Sequence, residues 1–306
     1  MLEKIVVVTR KTRLQELVER FNTLGQAKFY VEHAGGDFAE YEREDGTYRR
    51  SLETVQRTLD FDMKVQFIDR EFLPTFLFTK DDIVVTLGQD GLVANTAKYV
   101  RGQPIIAVNP DPERFDGILL PFMPDDTRPA VTALLSGKAQ FREVTMAEAA
   151  FNDGQRMLAF NDLFIGARSH ISARYTVRHG KQWEAQSSSG VLVSTGAGST
   201  GWLSSVFNMA RGIAEFSGGK PGNAYRLNWE DSRLVFVVRE PFISRHSSAG
   251  IVAGMIAQGQ ELVLESTMPS GGCVFSDGIE SDFIEFNSGS IAHIRPAEHG
   301  AQLVTK

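Results

Sequence analysis

Little in this sequence points to an extracellular, membrane or nucleic-acid role. It has one cysteine, Cys273, in 306 residues, which excludes an intrachain disulfide framework and any cysteine-rich zinc site. No run approaches the ~18 consecutive apolar residues of a membrane span. The start, Met1-Leu2-Glu3-Lys4-Ile5-Val6-Val7-Val8, has too short an apolar run for a signal peptide and leads into Arg10, Lys11 and Arg13. A basic excess is also missing: 32 Lys and Arg stand against 38 Asp and Glu, a formal charge of −6. Duplex nucleic acid is therefore a poor partner. The six histidines, at 33, 170, 179, 246, 293 and 299, show no H-E-x-x-H or close pairing, so a histidine-built metal site lacks support. What remains is a cytoplasmic enzyme or small-molecule-binding protein.

The length suggests about two domains at roughly 150 residues each. Charge and patterning divide the same way. Residues 1–150 carry a net −5 and residues 151–306 a net −1. The first part alternates strand-like runs (Ile5 to Thr9, Lys64 to Ile68, Ile83 to Leu87, Pro104 to Val108) with helical patterns such as Leu14-Leu17-Val18-Phe21 and a stretch near Val93 to Val100. That alternation predicts an α/β domain with a parallel sheet over 1–150. From about Asp162 the runs are short and β-rich: Leu163 to Ile165, Ser172 to Val177, Gly190 to Ser194, Leu234 to Val238, Glu261 to Leu264 and Ile291 to Ile294. Separated by Gly, Ser and Asn clusters, they predict a mainly antiparallel β-rich domain over 151–306, with one helix near Leu203 to Ala214.

Two turns carry candidate chemistry. Val84-Val85-Thr86-Leu87-Gly88-Gln89-Asp90-Gly91-Leu92 reads as a buried strand, a glycine turn around an acid, and a helix start. Glycines let backbone approach a ligand closely, and amides at a helix start can hold phosphate oxygens. Asp90 could then accept a proton from an attacking hydroxyl, or be only a helix cap. Gly35-Gly36-Asp37 and Asp45-Gly46-Thr47 hold similar letters, but neither follows a comparable strand and charges crowd Glu40 to Arg50. Both are expected to be solvated loop. The second turn is Ser194-Thr195-Gly196-Ala197-Gly198-Ser199-Thr200-Gly201-Trp202. Its glycines fit G-x-G-x-x-G, but no strand ending in an acid follows, so a dinucleotide fold of that type is excluded. Its hydroxyls could line a nucleotide surface or simply build a turn. Cys273 is read as a small core residue.

The order of these segments resembles the NAD kinase family, which belongs with diacylglycerol and sphingosine kinases in a group marked by G-G-D-G-T. Gly88-Gln89-Asp90-Gly91-Leu92 occupies that motif's place, with Gln89 for the second glycine and Leu92 for the threonine. Asn161-Asp162 resembles the family's Asn-Glu, Thr195 to Trp202 resembles T-P-T-G-S-T-A-Y, and Asp277-Gly278 resembles the late Asp-Gly. Asn109-Pro110-Asp111-Pro112-Glu113-Arg114, Phe164-Ile165-Gly166, Trp183-Glu184, Ser188-Ser189-Gly190, Arg239-Glu240-Pro241 and Phe286-Asn287 are similar to the mitochondrial-type branch.

The resemblance implies an α/β kinase domain followed by a β-sandwich-like domain, with the active site between them. It implies phosphoryl transfer from ATP to the adenosine ribose 2′-hydroxyl of NAD, giving NADP. Asp90 would activate that hydroxyl, and Gly88, Gln89 and Gly91 would form the phosphate loop. Asn161, Asp162, Ser188, Thr195, Gly198, Ser199, Thr200 and Trp202 would bind NAD or line the nucleotide pocket. Mg²⁺, held mainly by phosphates, and a homodimer are implied as well. Gln89 would be strained or obstructive if its position requires φ > 0. A kinase of another small-molecule hydroxyl and a non-catalytic NAD- or ATP-binding protein are the alternatives.

Overall fold

The run Ile5-Val6-Val7-Val8 has no polar face, as expected of a strand covered on both sides, and all four residues are fully buried. In the computed structural model, which describes residues 2–220, 222 and 225–306, this run lies within β1 (Lys4–Thr9). Three helices follow: α1 (Arg13–Phe21), α2 (Leu24–His33) and α3 (Phe38–Thr58). Then come β2 (Lys64–Asp69), β3 (Asp82–Leu87), α4 (Asp90–Ala97), β4 (Pro104–Val108), α5 (Thr127–Leu135) and β5 (Gln140–Val144).

The chain continues through β6 (Ala147–Phe151), β7 (Arg156–Ala159), β8 (Asp162–Ala167), β9 (Ala173–His179), β10 (Gln182–Ser188) and β11 (Val191–Ser194). After α6 (Trp202–Phe216) come β12 (Leu234–Val238), β13 (Ala253–Ile256), β14 (Leu262–Ser266) and β15 (Gly272–Ser276). The last strands are β16 (Ile284–Glu285), β17 (Ile291–Pro296) and β18 (Ala301–Thr305).

These elements divide into two units, Met1–Arg142 with Gln302–Lys306, and Glu143–Ala301. The sheet of the first unit has the order β2-β1-β3-β4-β18-β5. Strands β2, β1, β3, β4 and β18 pair in parallel. From β1 the chain goes to β2 on one side and then to β3 on the other, so the strand order switches between β1 and β3. In open α/β sheets, ligands bind outside the carboxyl ends of the strands at such a switch.

The second unit contains two six-stranded sheets, β10-β9-β14-β17-β6-β7 and β13-β12-β11-β8-β15-β16. Their pairings are antiparallel. One core holds Tyr175, Val177, Leu262 and Ile294 from the first sheet and Leu163, Ile165, Val193 and Phe236 from the second. That is the face-to-face packing of a sandwich.

The expected strand runs and the expected helices over 14–21, 93–100 and 203–214 appear, shifted by a few residues at their ends. Two expectations differ. The division falls at 142/143 instead of 150/151, and the final strand returns to the first unit, because β18 slots beside β4 through pairs such as Leu303 with Ile105. Residues 40–50 are not solvated loop. Asp37 caps α3 by accepting a hydrogen bond from the Ala39 amide, and Asp45-Gly46-Thr47 lies inside that helix. Glu44 and Asp45 are each only 6% exposed. The acidic crowding had a partner elsewhere in the chain, described below, which no local pattern reveals.

Candidate functional site

In the first unit, β3 is buried along its whole length and ends at Leu87. The turn that follows is half-exposed at Gln89 and Asp90. The Gly88 amide donates to the Val108 carbonyl (3.2 Å), tying the turn to the end of β4. Gln89 is the N-cap residue of α4 with φ −85° and ψ 170°. This is ordinary extended backbone, so the residue standing in the place of the motif's second glycine is unstrained.

Gly88 is required for a different reason: a Cβ there would lie 2.7 Å from Leu92 Cδ2. Leu92, in the threonine's place, thus fills the space under the turn. Asp90 is the first residue of α4, and its Oδ1 accepts a hydrogen bond from the Leu119 amide (2.7 Å). A carboxylate at a helix start is favoured by the helix dipole. Oriented by a backbone donor at the sheet's switch point, it can take up a proton from a hydroxyl nucleophile.

In the second unit, three segments meet at one end of the sheet containing β8: the approach to β8, the exit from β11 and the exit from β15. Asp162 pairs across strands with Ser194, and Leu163 with Ser276. The Asp277 carboxylate accepts from the amides of Phe160 (3.1 Å), Asn161 (2.6 Å) and Asp162 (3.2 Å). Three backbone donors on one carboxylate fix the Asn161-Asp162 corner. Asp162, only 8% exposed, has its carboxyl pushed up to about 7, first by burial and second by the charge of Asp277. Sequence reasoning noticed the Asp277-Gly278 pair but gave it no role. Its left-handed backbone, φ 53° at Asp277 and 70° at Gly278, turns the carboxylate back onto the corner.

The residues of the 195–202 turn divide into builders and presenters. The Thr195 hydroxyl is buried and donates to the Phe160 carbonyl (2.6 Å), while the Gly198 amide donates to it (3.2 Å). Gly198 has no room for a side chain because the Asn161 carbonyl occupies the space. Ser199, also buried, donates to the Gly196 carbonyl (2.7 Å). These three lock the turn against Asn161. Thr200 and Gly201 are exposed, and the half-buried Trp202 stacks on Phe164 with ring centres 5.7 Å apart. The Arg239 guanidinium lies 5.4 Å from the Trp202 ring. The amides opening α6 follow directly and can hold an anion.

Ser188 is not brought to this end. It precedes β11, whereas Thr195 follows it, and its hydroxyl is buried against the Tyr175 hydroxyl (2.7 Å) and the Gly190 amide (3.0 Å). The structure therefore brings Asp162, Asp277, Thr195 and Gly198 to the Asn161 corner, with Ser199 bracing the same turn through Gly196 and Thr200 and Trp202 on the adjoining segment. Gly88, Gln89, Asp90 and Gly91 form the other site, in the first unit.

No protein-family model matches the chain. Among curated proteins, it is 30% identical over 130 residues to an NAD kinase of Chlorobium phaeobacteroides, spanning 41% of this chain and 45% of that protein. It is 25% identical over 128 residues to an NAD kinase of Chlorobaculum tepidum, spanning 44% of that protein. The match thus covers less than half the length of these relatives. Among solved structures, an NAD kinase from Archaeoglobus fulgidus in complex with ATP superposes with a TM-score of 0.54 at 17% identity, over 98% of this chain and 92% of that one. Yeast NADH kinase complexed with NADH gives 0.56 at 15% identity, over 100% and 84%. These structures share the fold.

Proposed function

We propose that this chain, which is similar over part of its length to NAD kinases, phosphorylates NAD with ATP at the 2′-hydroxyl of the adenosine ribose, giving NADP. The observation that carries this reading is Asp90: a carboxylate opening α4, held by the Leu119 amide at 2.7 Å, at the switch point of a parallel sheet. Asp90 accepts the proton of the attacking ribose hydroxyl. Phosphoryl transfer asks the protein for little covalent chemistry and for much positioning and charge compensation. With the Gly88 amide bonded to Val108, the amides of Gln89, Asp90 and Gly91 at the start of α4 face the phosphates. Within the second unit, the corner of Asn161 and Asp162 bonded to Asp277 is suited to hold a ribose, since a carboxylate can accept from two neighbouring hydroxyls.

A divalent cation would accompany the donor's phosphates and would offset their negative charge. Among the described residues no group of three or more His, Cys, Asp or Glu is arranged to hold an ion.

The test is direct. Purified protein with ATP, Mg²⁺ and NAD is expected to form NADP, and Asp90→Asn to lower kcat by about a hundredfold or more with little change in NAD affinity. The absence of NADP above a no-enzyme control, across several donors and cations, would overturn the proposal. NADH belongs in the same assay as a second acceptor, given the likeness to an NADH kinase.

A further inference from the structure

The buried Glu44 of α3 is surrounded by three arginines from distant parts of the chain. Arg13 Nε donates to Glu44 Oε2 (2.6 Å), Arg114 Nη1 lies 2.9 Å from the same oxygen, and Arg10 Nη2 donates to Oε1 (3.1 Å). One guanidinium would suffice to neutralise one buried carboxylate. Three leave a surplus of two positive charges at this spot, in the half of the chain whose overall charge is negative. The neighbouring acid does not absorb it: Asp45 accepts from the Thr12 hydroxyl (2.6 Å) and pairs with Arg49 (2.7 Å). Lys11 is occupied by Glu19 and Glu71. The Arg13 Nη2 atom is buried and makes no hydrogen bond among the described residues, while its guanidinium lies 4.3 Å from the Tyr41 ring.

The trio also has a definite place. Arg10 directly follows β1, and its Cδ lies 3.5 Å from where a Gly88 Cβ would be. The Tyr48 hydroxyl accepts from the Arg10 amide (3.0 Å) and donates to the Leu87 carbonyl (3.1 Å), clamping the ends of β1 and β3 together. Arg114 lies on the same loop as Leu119, whose amide holds Asp90. The cationic cluster and the glycine turn therefore share one end of the sheet, at the β1/β3 switch. Arg114 and Arg13 retain about a third of their side-chain surface, 33% and 39%, although the Arg13 Nη2 atom itself is buried.

We propose that Arg10, Arg13 and Arg114, oriented by Glu44, form a subsite for the phosphate chain of the phosphoryl donor, a nucleoside triphosphate or an inorganic polyphosphate. Planar guanidinium forks pair with phosphate oxygens through two parallel hydrogen bonds, and each arginine has donors beyond the one given to Glu44. The subsite supplies phosphate donors beyond those of the turn, where Leu92 offers no hydroxyl. The assignment rests on the kinase reading above, and it treats Glu44 as a positioning residue with no contact to the phosphates.

The experiment uses the full chain and its Arg13→Gln, Arg114→Gln, double Gln and Arg114→Lys variants, each checked by thermal melting. Inorganic tripolyphosphate, ATP and adenosine are titrated by calorimetry at low and high salt. The double variant is expected to weaken tripolyphosphate and ATP about tenfold or more, to flatten the salt dependence, and to leave adenosine unchanged. Arg114→Lys is expected to recover part of the affinity. In turnover, KM for ATP should rise while KM for NAD stays within about twofold.

Tripolyphosphate affinity unchanged in the double variant, or no binding to the parent chain at millimolar ligand, overturns the subsite. NADP formation with no effect of the arginines sinks this inference but not the kinase reading. Arginine-dependent phosphate-chain binding without NADP formation does the reverse.

Discussion

A Cβ added to Gly88 would meet Leu92 Cδ2 at 2.7 Å, so these two residues share one volume beneath the phosphate turn. Gly88→Ala is expected to cost about 1–3 kcal/mol by overpacking. Combining it with Leu92→Thr should recover part of that loss, and a double-mutant cycle by denaturant unfolding would read a coupling of about 1 kcal/mol. Purely additive effects would show that the two do not compete for space. Gln89 behaves in the opposite way. With φ −85° it requires no glycine, and Gln89→Gly is expected to destabilise by about 0.5–1 kcal/mol through backbone entropy.

Asp162 gives a pH dependence. Its carboxyl is raised to about 7 by burial and by Asp277, whereas an unfolded Asp titrates near 4. Between these values the folded chain keeps a proton that the unfolded chain has lost, so stability falls as pH rises and the penalty is complete above about pH 7. Asp162→Asn removes that ionisation. The variant should be more stable than the parent at about pH 8, by on the order of 3 kcal/mol, with the difference vanishing near pH 4. Parallel melting curves of parent and variant across that range would refute the assignment.

At the scale of elements, α3 and the loop that runs from β4 to α5 do most of the positioning. The loop folds on itself: the Asn109 side chain accepts from the Asp111 amide (3.0 Å) and donates to the Phe115 carbonyl (3.0 Å). It is tied to α3 where Ser51 donates to the Pro110 carbonyl (2.7 Å) and where Arg114 meets Glu44. The segment Asn109 to Arg114, noticed in the sequence only as a likeness, thus has a mechanical role, since Leu119 on the same loop orients Asp90. Glu44→Gln leaves three guanidiniums facing no charge and is expected to cost about 3–5 kcal/mol. Tripolyphosphate should raise the melting temperature of that variant by more than it raises the parent's. An equal or smaller shift would mean that the arginines do not meet the phosphate chain.

For the whole molecule, the last strand belongs to the first sheet, where it neighbours β4 and β5. Leu303 and Val304 are 4% and 2% exposed. Leu303→Ala, three residues from the end of the sequence, is expected to cost about 2–4 kcal/mol. The loss should appear as faster hydrogen exchange at Ile105 and Ile106 of β4. Unchanged exchange there would contradict the pairing.

The sequence alone determined strands such as β1, β3, β4, β11 and β12, because a run with no polar face is buried on both sides and Gly/Ser clusters end it wherever it lies. Strands β5, β6, β7, β10, β13, β15, β16 and β18 were not among the runs it marked. It also marked the Gly88–Gly91 turn, since a buried strand, a glycine turn and a helix start are local patterns. Only the tertiary structure decided that Glu44 and Asp45 are buried, that Arg10, Arg13 and Arg114 meet at one carboxylate, and that Ser188 lies away from Thr195. Burial of a charge depends on partners brought from far along the chain. Register and strand order set those meetings, and residue spacing does not encode them.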